Sequence, residues 1–355
     1  MQPVRFRPPT GVRGVTTIPA DTSGPASTRF ELIADIGGTN ARFALVDPHA
    51  ATVEVLQAQT LCNAGFASLQ HAAGHYLQSV GVQPRRAAFA VASPVDADEI
   101  RLTNRAWSFS RSELRQTLGL DELLLLNDFG AVAWAVPALA PADCITLHGP
   151  DTPPLRGPVS VLGPGTGLGV AQLVGSTARG WQVVETEGGH VTFAPIGDEE
   201  QAIARWMTAH YGRASNERVL CGKGLAHVDA VLRGVTNHAT GQSMALRDPA
   251  DIVAMALEGH DLPARRTLAR FCAVLGSVAG DAALIHGART VMIAGGIVPR
   301  FAGFLRSSAF RERFLAKGRF AAYLESVTIR LITHPNPGLL GAAVALRSPA
   351  AQDDP

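Results

Sequence analysis

Apolar residues come in short, dense runs along this chain, separated by glycine turns and polar pairs. Residues 30–38 (FELIADIGG) form an apolar run ending in two glycines; 40–47 (NARFALVD) and 52–61 (TVEVLQAQTL) alternate apolar and polar positions. Such runs predict three strands, and the tight turn between the first two predicts an antiparallel hairpin. Helical spacing over 66–80 (FASLQHAAGHYLQSV) predicts a helix, and 87–93 (AAFAVAS) a buried strand. Ser110 and Glu113 form the capping box of a helix over 110–118. The run ELLLL at 122–126 predicts a strand, followed by Asn127-Asp128 and a helix from about Phe129.

The pattern then repeats. Residues 158–174 (PVSVLGPGTGLGVAQLV) again give strand, glycine turn and strand, followed by 181–195 (WQVVETEGGHVTFAP) and a largely helical stretch over 198–286. A short buried strand at 290–297, a strand at 327–333 and an apolar helix at 338–346 close the chain. Strands with intervening helices predict an α/β protein with covered sheets, and the repeat predicts two related halves with a glycine turn apiece at a shared cleft.

At 355 residues the chain has the length of two domains. Hydrophobic residues make up 46% and charged residues 17%, the latter below the roughly 25% of ordinary chains, which implies compact globular packing. A net charge of +1 without a basic block offers no electrostatic argument for a nucleic-acid or membrane partner. No apolar run reaches the roughly 18 residues that span a bilayer. The four cysteines (Cys62, Cys144, Cys221, Cys272) are scattered, which favours free thiols in a reducing compartment over a zinc site. Residues 1–29, rich in Pro, Gly, Thr and Arg and without an apolar core, predict a disordered extension, with ordered chain from about Phe30.

Several stretches can carry chemistry. Asn127-Asp128 fits a helix cap, since both side chains accept orphan backbone N–H groups, but it also fits a polar site between buried segments. In 35–42 (DIGGTNAR), glycines, Thr39 and Asn40 let backbone N–H groups approach an anion. Asp35, in an otherwise apolar strand, needs a partner such as a metal or a hydroxyl. The turn 163–169 (GPGTGLG) adds a second close-approach loop, with Thr166 able to donate to a phosphate oxygen. Neither loop is a Walker A sequence or a dinucleotide-binding G-x-G-x-x-G opening a helix. In 185–195 (ETEGGHVTFAP) a Gly-Gly turn lets Glu187 and His190 converge, although a loop histidine is more often merely hydrogen-bonded. Glu217, heading 216–225 (NERVLCGKGL), fits a cap as well as a ligand.

The paired strand–turn–strand loops, with the Gly295-Gly296 turn after the strand at 290, resemble the phosphate hairpins and adenosine-contacting turn of the actin, hexokinase and heat-shock ATPase fold. In order, DIGGTNARFALVD, LLNDFGAVAWAV, GPGTGLGVA, EGGHVTFAP, ERVLCGKGL, IAGGI and NPGLLGAAVAL resemble the bacterial glucokinases over about residues 31–347. The resemblance implies a two-domain actin-like ATPase (ribonuclease H-like) fold with mixed sheets flanked by helices and an interdomain cleft. It divides the chain into a small domain over 30–138, completed by a helix at 336–347, and a large domain over 139–335.

The resemblance also implies ATP-dependent phosphorylation of glucose, with Asn127, Asp128, Glu187, His190 and Glu217 holding the sugar and Asp128 as catalytic base. Gly37, Gly38, Thr39, Asn40, Gly165, Thr166 and Gly167 fall on its phosphate loops, Gly295 and Gly296 on its adenosine turn. Asp35 falls where Mg²⁺ is oriented through water. A cytoplasmic homodimer through the larger domain comes with the family, and closure of the domains on sugar would exclude water. Two other readings stay open: a kinase for another hexose or an amino sugar, and a sugar-responsive regulator. The neighbouring ROK group carries a cysteine-rich zinc motif after the sugar-site histidine, whereas VTFAPIGDEE follows His190 here.

Overall fold

The computed structural model describes residues 29–93, 95, 97–101, 107–150, 154–237, 242–243 and 246–348. The expected disordered extension lies outside them except for Arg29, which pairs with Asp47 at 2.8 Å. The chain divides into two compact units.

The first unit ends at Asn127 and takes in Gly338–Arg347. It contains β1 (Glu31–Ile36), β2 (Asn40–Val46), β3 (Leu56–Cys62), α1 (Leu69–Val80), β4 (Arg86–Val91), β5 (Glu99–Arg101), β6 (Ser108–Ser110), α2 (Arg111–Thr117) and β7 (Glu122–Asn127). Five strands form one sheet in the order β3-β2-β1-β4-β7, with β1–β2 and β2–β3 antiparallel and β1–β4 and β4–β7 parallel. The central strands β1 and β4 are buried on both faces, which explains their continuous apolar runs; β3, at the edge, keeps the alternation of a half-covered strand. It begins at Leu56, later than the alternation from residue 52 predicts.

Tyr76 of α1 stacks on Phe43 (5.6 Å between ring centres), and Phe43 meets Phe89 edge-on at 6.2 Å. Such ring pairs add about 0.5–1.5 kcal/mol each beyond the area they bury. Ser68 caps α1 by accepting from the His71 amide, and Ser110 caps α2 by accepting from the Glu113 amide, as the capping box predicts. Arg86 fastens the far ends of the strands: it donates to Glu31, to Glu122 and to the carbonyl of Leu346 in the C-terminal helix Pro337–Leu346.

The second unit covers Asp128–Pro337. It begins with α3 (Asp128–Ala135), β8 (Cys144–His148), β9 (Val159–Pro164), β10 (Leu168–Ser176) and β11 (Gly180–Thr186). The helical region follows with α4 (Gly197–Tyr211), α5 (Asn216–Val219), α6 (Gly222–Leu232), α7 (Pro249–Glu258) and α8 (Leu262–His286), interrupted between α6 and α7 by the short pair β12 (Thr236–Asn237) and β13 (Gln242–Ser243). This pair lies within the largely helical stretch expected over 198–286. Then come β14 (Thr290–Ile293), α9 (Ala302–Ser307), α10 (Phe310–Leu315), α11 (Ala321–Glu325) and β15 (Thr328–Ile332).

The six-stranded sheet runs β11-β10-β9-β14-β15-β8. Its core repeats the first sheet: an antiparallel three-strand meander, then two parallel strands next to the hairpin's first strand. The repeat seen in the sequence is therefore a repeat of topology. The antiparallel edge strand β8 has no counterpart, and its half-buried, unpatterned residues gave no strand signal.

The boundary expected after residue 138 falls instead after Asn127, because α3 packs on β9, β10 and β11. Helix α8 has an 18-residue window of mean hydropathy 1.6, apolar enough to cross a membrane by composition. It is the core helix of this unit, with α6, α7 and α10 packed around it and Phe271, Cys272 and Leu275 fully buried.

Two buried carboxylates brace these helices. Glu200 of α4 is fully buried and accepts from Arg270 and Arg313 and from the Ile196 amide. Asp229 of α6, also fully buried, accepts from Arg233, Arg247 and Thr267. Every lone pair that water would have served is taken by a donor, without which such burial would be prohibitive.

Candidate active site

In the first unit the residues of interest gather at the β1–β2 turn. Asp35 pairs across the hairpin with Arg42, whose Nη1 lies 3.2 Å from Oδ2. Burial pushes the Asp35 carboxyl above its ordinary range, and the charge and hydrogen bond of Arg42 offset this only in part. Next to it stands the start of the C-terminal helix, where a Cβ on Gly338 would sit 3.1 Å from the Asp35 carboxyl carbon. The carboxylate thus sits in a strand that disfavours its charge, beside a helix end with no side chain to cover it.

The turn itself holds Gly37, Gly38, Thr39 and Asn40. The Gly37 amide donates to the Asn40 carbonyl at 3.0 Å. Asn63, fully buried after β3, donates through Nδ2 to the Gly37 carbonyl at 2.8 Å and through its amide to the Thr39 carbonyl at 3.0 Å. The turn's carbonyls are thereby drawn toward Asn63. Neither Asn63 nor Arg42 was singled out from sequence. A polar residue directly after a strand was the available signal for the first, and its position two strands away from the turn concealed the role. Asn127 ends β7 in register with Val91 of β4.

In the second unit, Asp128 opens α3 and its Oδ1 accepts from the amide of the next residue, Phe129, at 2.9 Å. The Phe129 ring packs so closely over Gly169 of β10 that a Cβ there would overlap it. This contact fixes the first turn of α3 against the strand leaving the second glycine turn.

Glu187, His190 and Glu217 converge. His190 Nε2 lies 3.6 Å from Glu187 Oε2, and its Nδ1 lies 3.9 Å from Glu217 Oε1. The Glu187 and His190 side chains are 67% and 57% exposed and Glu217 is 23% exposed, so the first two are open to a ligand while the third is partly enclosed. Backbone bonds hold the group together: the His190 amide donates to the Glu187 carbonyl at 2.9 Å, and the Asn216 amide to the Val191 carbonyl at 2.9 Å. Arg213 donates to the His190 carbonyl at 2.8 Å. Ser215 caps α5 by accepting from the Arg218 amide, which sets Glu217 in the first turn.

The glycine turn 164–168 lies against this group. The Leu168 amide donates to Glu217 Oε2 at 3.1 Å, and the carboxylate fills the space that a side chain at Gly167 would need. The Gly165 amide donates to the Gly167 carbonyl at 2.7 Å, and the Gly165 carbonyl accepts from the Gly222 amide at 3.0 Å, at the start of α6. The Gly295 turn reaches the same place: the Ala294 amide donates to the Leu162 carbonyl at 2.9 Å. Gly295 has φ +90° and lies directly on the Pro164 carbonyl, a conformation and an approach closed to other residues. Of the residues expected in a site, the structure brings together Gly165, Thr166, Gly167, Glu187, His190, Glu217 and the Gly295-Gly296 turn within one unit. Among the described residues no group of three or more His, Cys, Asp or Glu side chains could hold a metal ion.

A family profile described as glucokinase matches residues 32–349. A glucokinase from Stenotrophomonas maltophilia (strain K279a) is 42% identical over 336 residues, covering 93% of this chain and 98% of the relative. The crystal structure of a glucokinase from an Antarctic psychrotroph superposes with a TM-score of 0.78 at 37% identity, over 90% of this chain and 98% of that one. A ROK family glucokinase from Streptomyces griseus, solved with glucose and AMPPNP, matches with a TM-score of 0.58 at 19% identity over 88% and 98% of the two chains, a likeness of fold alone.

Proposed function

The chain belongs to the glucokinase family, with the actin-like ATPase fold of its sugar kinases, and on that premise we propose how its residues perform ATP-dependent phosphorylation of glucose. The reaction moves the γ-phosphoryl group of ATP to the sugar 6-hydroxyl and releases ADP. Little covalent work falls to the protein in phosphoryl transfer; positioning and charge stabilisation dominate.

Asp128 accepts the 6-hydroxyl proton as the oxygen attacks phosphorus. An ordinary carboxylate suffices, because the proton need only leave as the new bond forms. Asn127, Glu187, His190 and Glu217 hold the sugar hydroxyls, carboxylates accepting and the imidazole taking whichever role its tautomer allows. The turn amides at Gly37, Gly38, Thr39 and Asn40 and at Gly165, Thr166 and Gly167 face phosphate oxygens, and Gly295-Gly296 faces the adenosine. The observation that carries this reading is the meeting of Glu187, His190 and Glu217 with the 164–168 turn, a sugar-sized polar group built onto a close-approach loop.

Asp35 fits a role toward Mg²⁺: it is a carboxylate pushed toward neutrality by burial, whose ionised form a cation would favour. Asp35 would hold such an ion through water, and the ion would supply positive charge against the phosphates. A cytoplasmic homodimer built through the larger unit belongs to the same reading; four unpaired thiols are in keeping with a reducing compartment, and light scattering of the purified chain tests the dimer. The decisive experiment is ADP release with glucose, mannose, fructose and N-acetylglucosamine, each with ATP. Glucose should be preferred; a higher kcat/KM for N-acetylglucosamine would move the assignment to an amino-sugar kinase. Thr166→Val should raise the KM for ATP and leave glucose affinity unchanged, and the reverse would remove Thr166 from the phosphate loop.

A further inference from the structure

Glu217 has a neighbour on each carboxylate oxygen. Its Oε2 accepts from the Leu168 amide at 3.1 Å, and its Oε1 faces His190 Nδ1 at 3.9 Å. The amide it holds belongs to Leu168, the first residue of β10, opposite Pro164. The turn between them is closed by the Gly165 amide on the Gly167 carbonyl at 2.7 Å, and the carboxylate holds the next amide along the strand. Its own backbone is not free to follow the turn, since α5 is tied to the segment after His190 by the bond from the Asn216 amide to the Val191 carbonyl.

We propose that Glu217 is a positioning residue that couples the two substrate sites, with one oxygen holding the glycine turn through the Leu168 amide and the other serving the sugar. The inference rests on the sugar-site reading given above and adds to it a thermodynamic consequence. A carboxylate has about four acceptor sites, so a sugar hydroxyl on Oε1 need not displace the amide from Oε2. Sugar binding restricts the rotation of the carboxylate, and that restriction holds Leu168, Gly167 and Thr166 in one arrangement before the nucleotide arrives. Nucleotide binding does the converse. Coupling between two ligands is reciprocal: the factor by which sugar tightens nucleotide must equal the factor by which nucleotide tightens sugar. Glu187, whose Oε2 lies 3.6 Å from His190 Nε2, serves as the control for a residue on the sugar side alone.

The test is calorimetry on the full-length chain with glucose and a non-hydrolysable ATP analogue, each titrated with and without the other, joined to amide exchange at Leu168. In the unaltered protein each ligand should tighten the other by the same factor, about five- to tenfold. Glu217→Ala, which removes the acceptor, should bring that factor close to one, weaken the analogue even without glucose, and speed exchange of the Leu168 amide in the ligand-free protein. Glu187→Gln should weaken glucose while leaving sugar-free analogue affinity and Leu168 exchange as they were. If Glu217→Ala weakens glucose but changes neither analogue affinity nor Leu168 exchange, the coupling is overturned and the sugar site stands. If neither variant weakens glucose, the sugar-site reading falls and the coupling with it.

Discussion

Asp35 and Arg42 are cross-strand neighbours in the first hairpin, and the guanidinium lies 3.2 Å from a carboxylate that burial pushes toward its neutral form. The charge and hydrogen bond of Arg42 offset that push only in part. Its removal should raise the Asp35 pKa further.

Arg42→Met is therefore expected to move the acid limb of the kcat/KM profile for MgATP toward higher pH, because ionised Asp35 would persist only there. For stability the sign is opposite. A carboxyl whose folded pKa lies above its unfolded value favours folding most at pH below the unfolded value, and that contribution is lost as pH rises through the folded value. Asp35→Asn should thus melt at a temperature equal to or above that of the parent at neutral pH, while turnover falls by about 100-fold or more. Calorimetric melting and steady-state assays measure both; a variant that melts lower and turns over normally would contradict the assignment.

Asp128→Asn should lower kcat by about 100- to 10,000-fold, the usual worth of a positioned base. The side-chain oxygen that accepts from the Phe129 amide is retained, so α3 should stay formed and melting should change little. Glucose affinity by calorimetry should remain within a few-fold. Near-normal turnover would remove Asp128 as the base.

Gly169→Ala tests how α3 is placed. The added methyl must displace the Phe129 ring, with an overpacking cost of about 1–3 kcal/mol. Because Phe129 adjoins Asp128, kcat should fall alongside stability. A lowered melting temperature with unaltered kcat would show that the base does not depend on this contact.

Glu200 gives a test free of the reaction. Burial by itself would raise its pKa, but hydrogen bonds from Arg313, the Ile196 amide and Arg270 outweigh it, and the folded value lies below 4.5. Its stabilising contribution is therefore present above the unfolded value and lost as pH falls through the folded one. Glu200→Gln leaves Arg270 and Arg313 without their buried charge and should cost about 3–5 kcal/mol at neutral pH. The difference between parent and variant should shrink on acidification, as urea unfolding at pH 7 and pH 4 would show; a gap that widens would refute the assignment.

Much of this protein was legible along the chain, for local reasons. The strand–glycine–strand units at 30–46 and 158–174 announced themselves because apolar runs closed by glycine have few other outcomes, and Ser110 with Glu113 marked the start of α2 through bonds spanning three residues. The motifs at Asp35, Asn127, Gly165, Glu187 and Glu217 were likewise visible as residue types out of place in their surroundings. Strand β8 was not, since it pairs at an edge without a buried face to impose alternation, and α3 joined the second unit through contacts with β9, β10 and β11 that its own residues do not reveal. Local sequence fixes which segments turn and which polar groups need partners. It does not fix the partners, because Glu217 meets the amide of Leu168 across 49 residues, and only the packing of α5 beside the hairpin brings that acceptor to that donor.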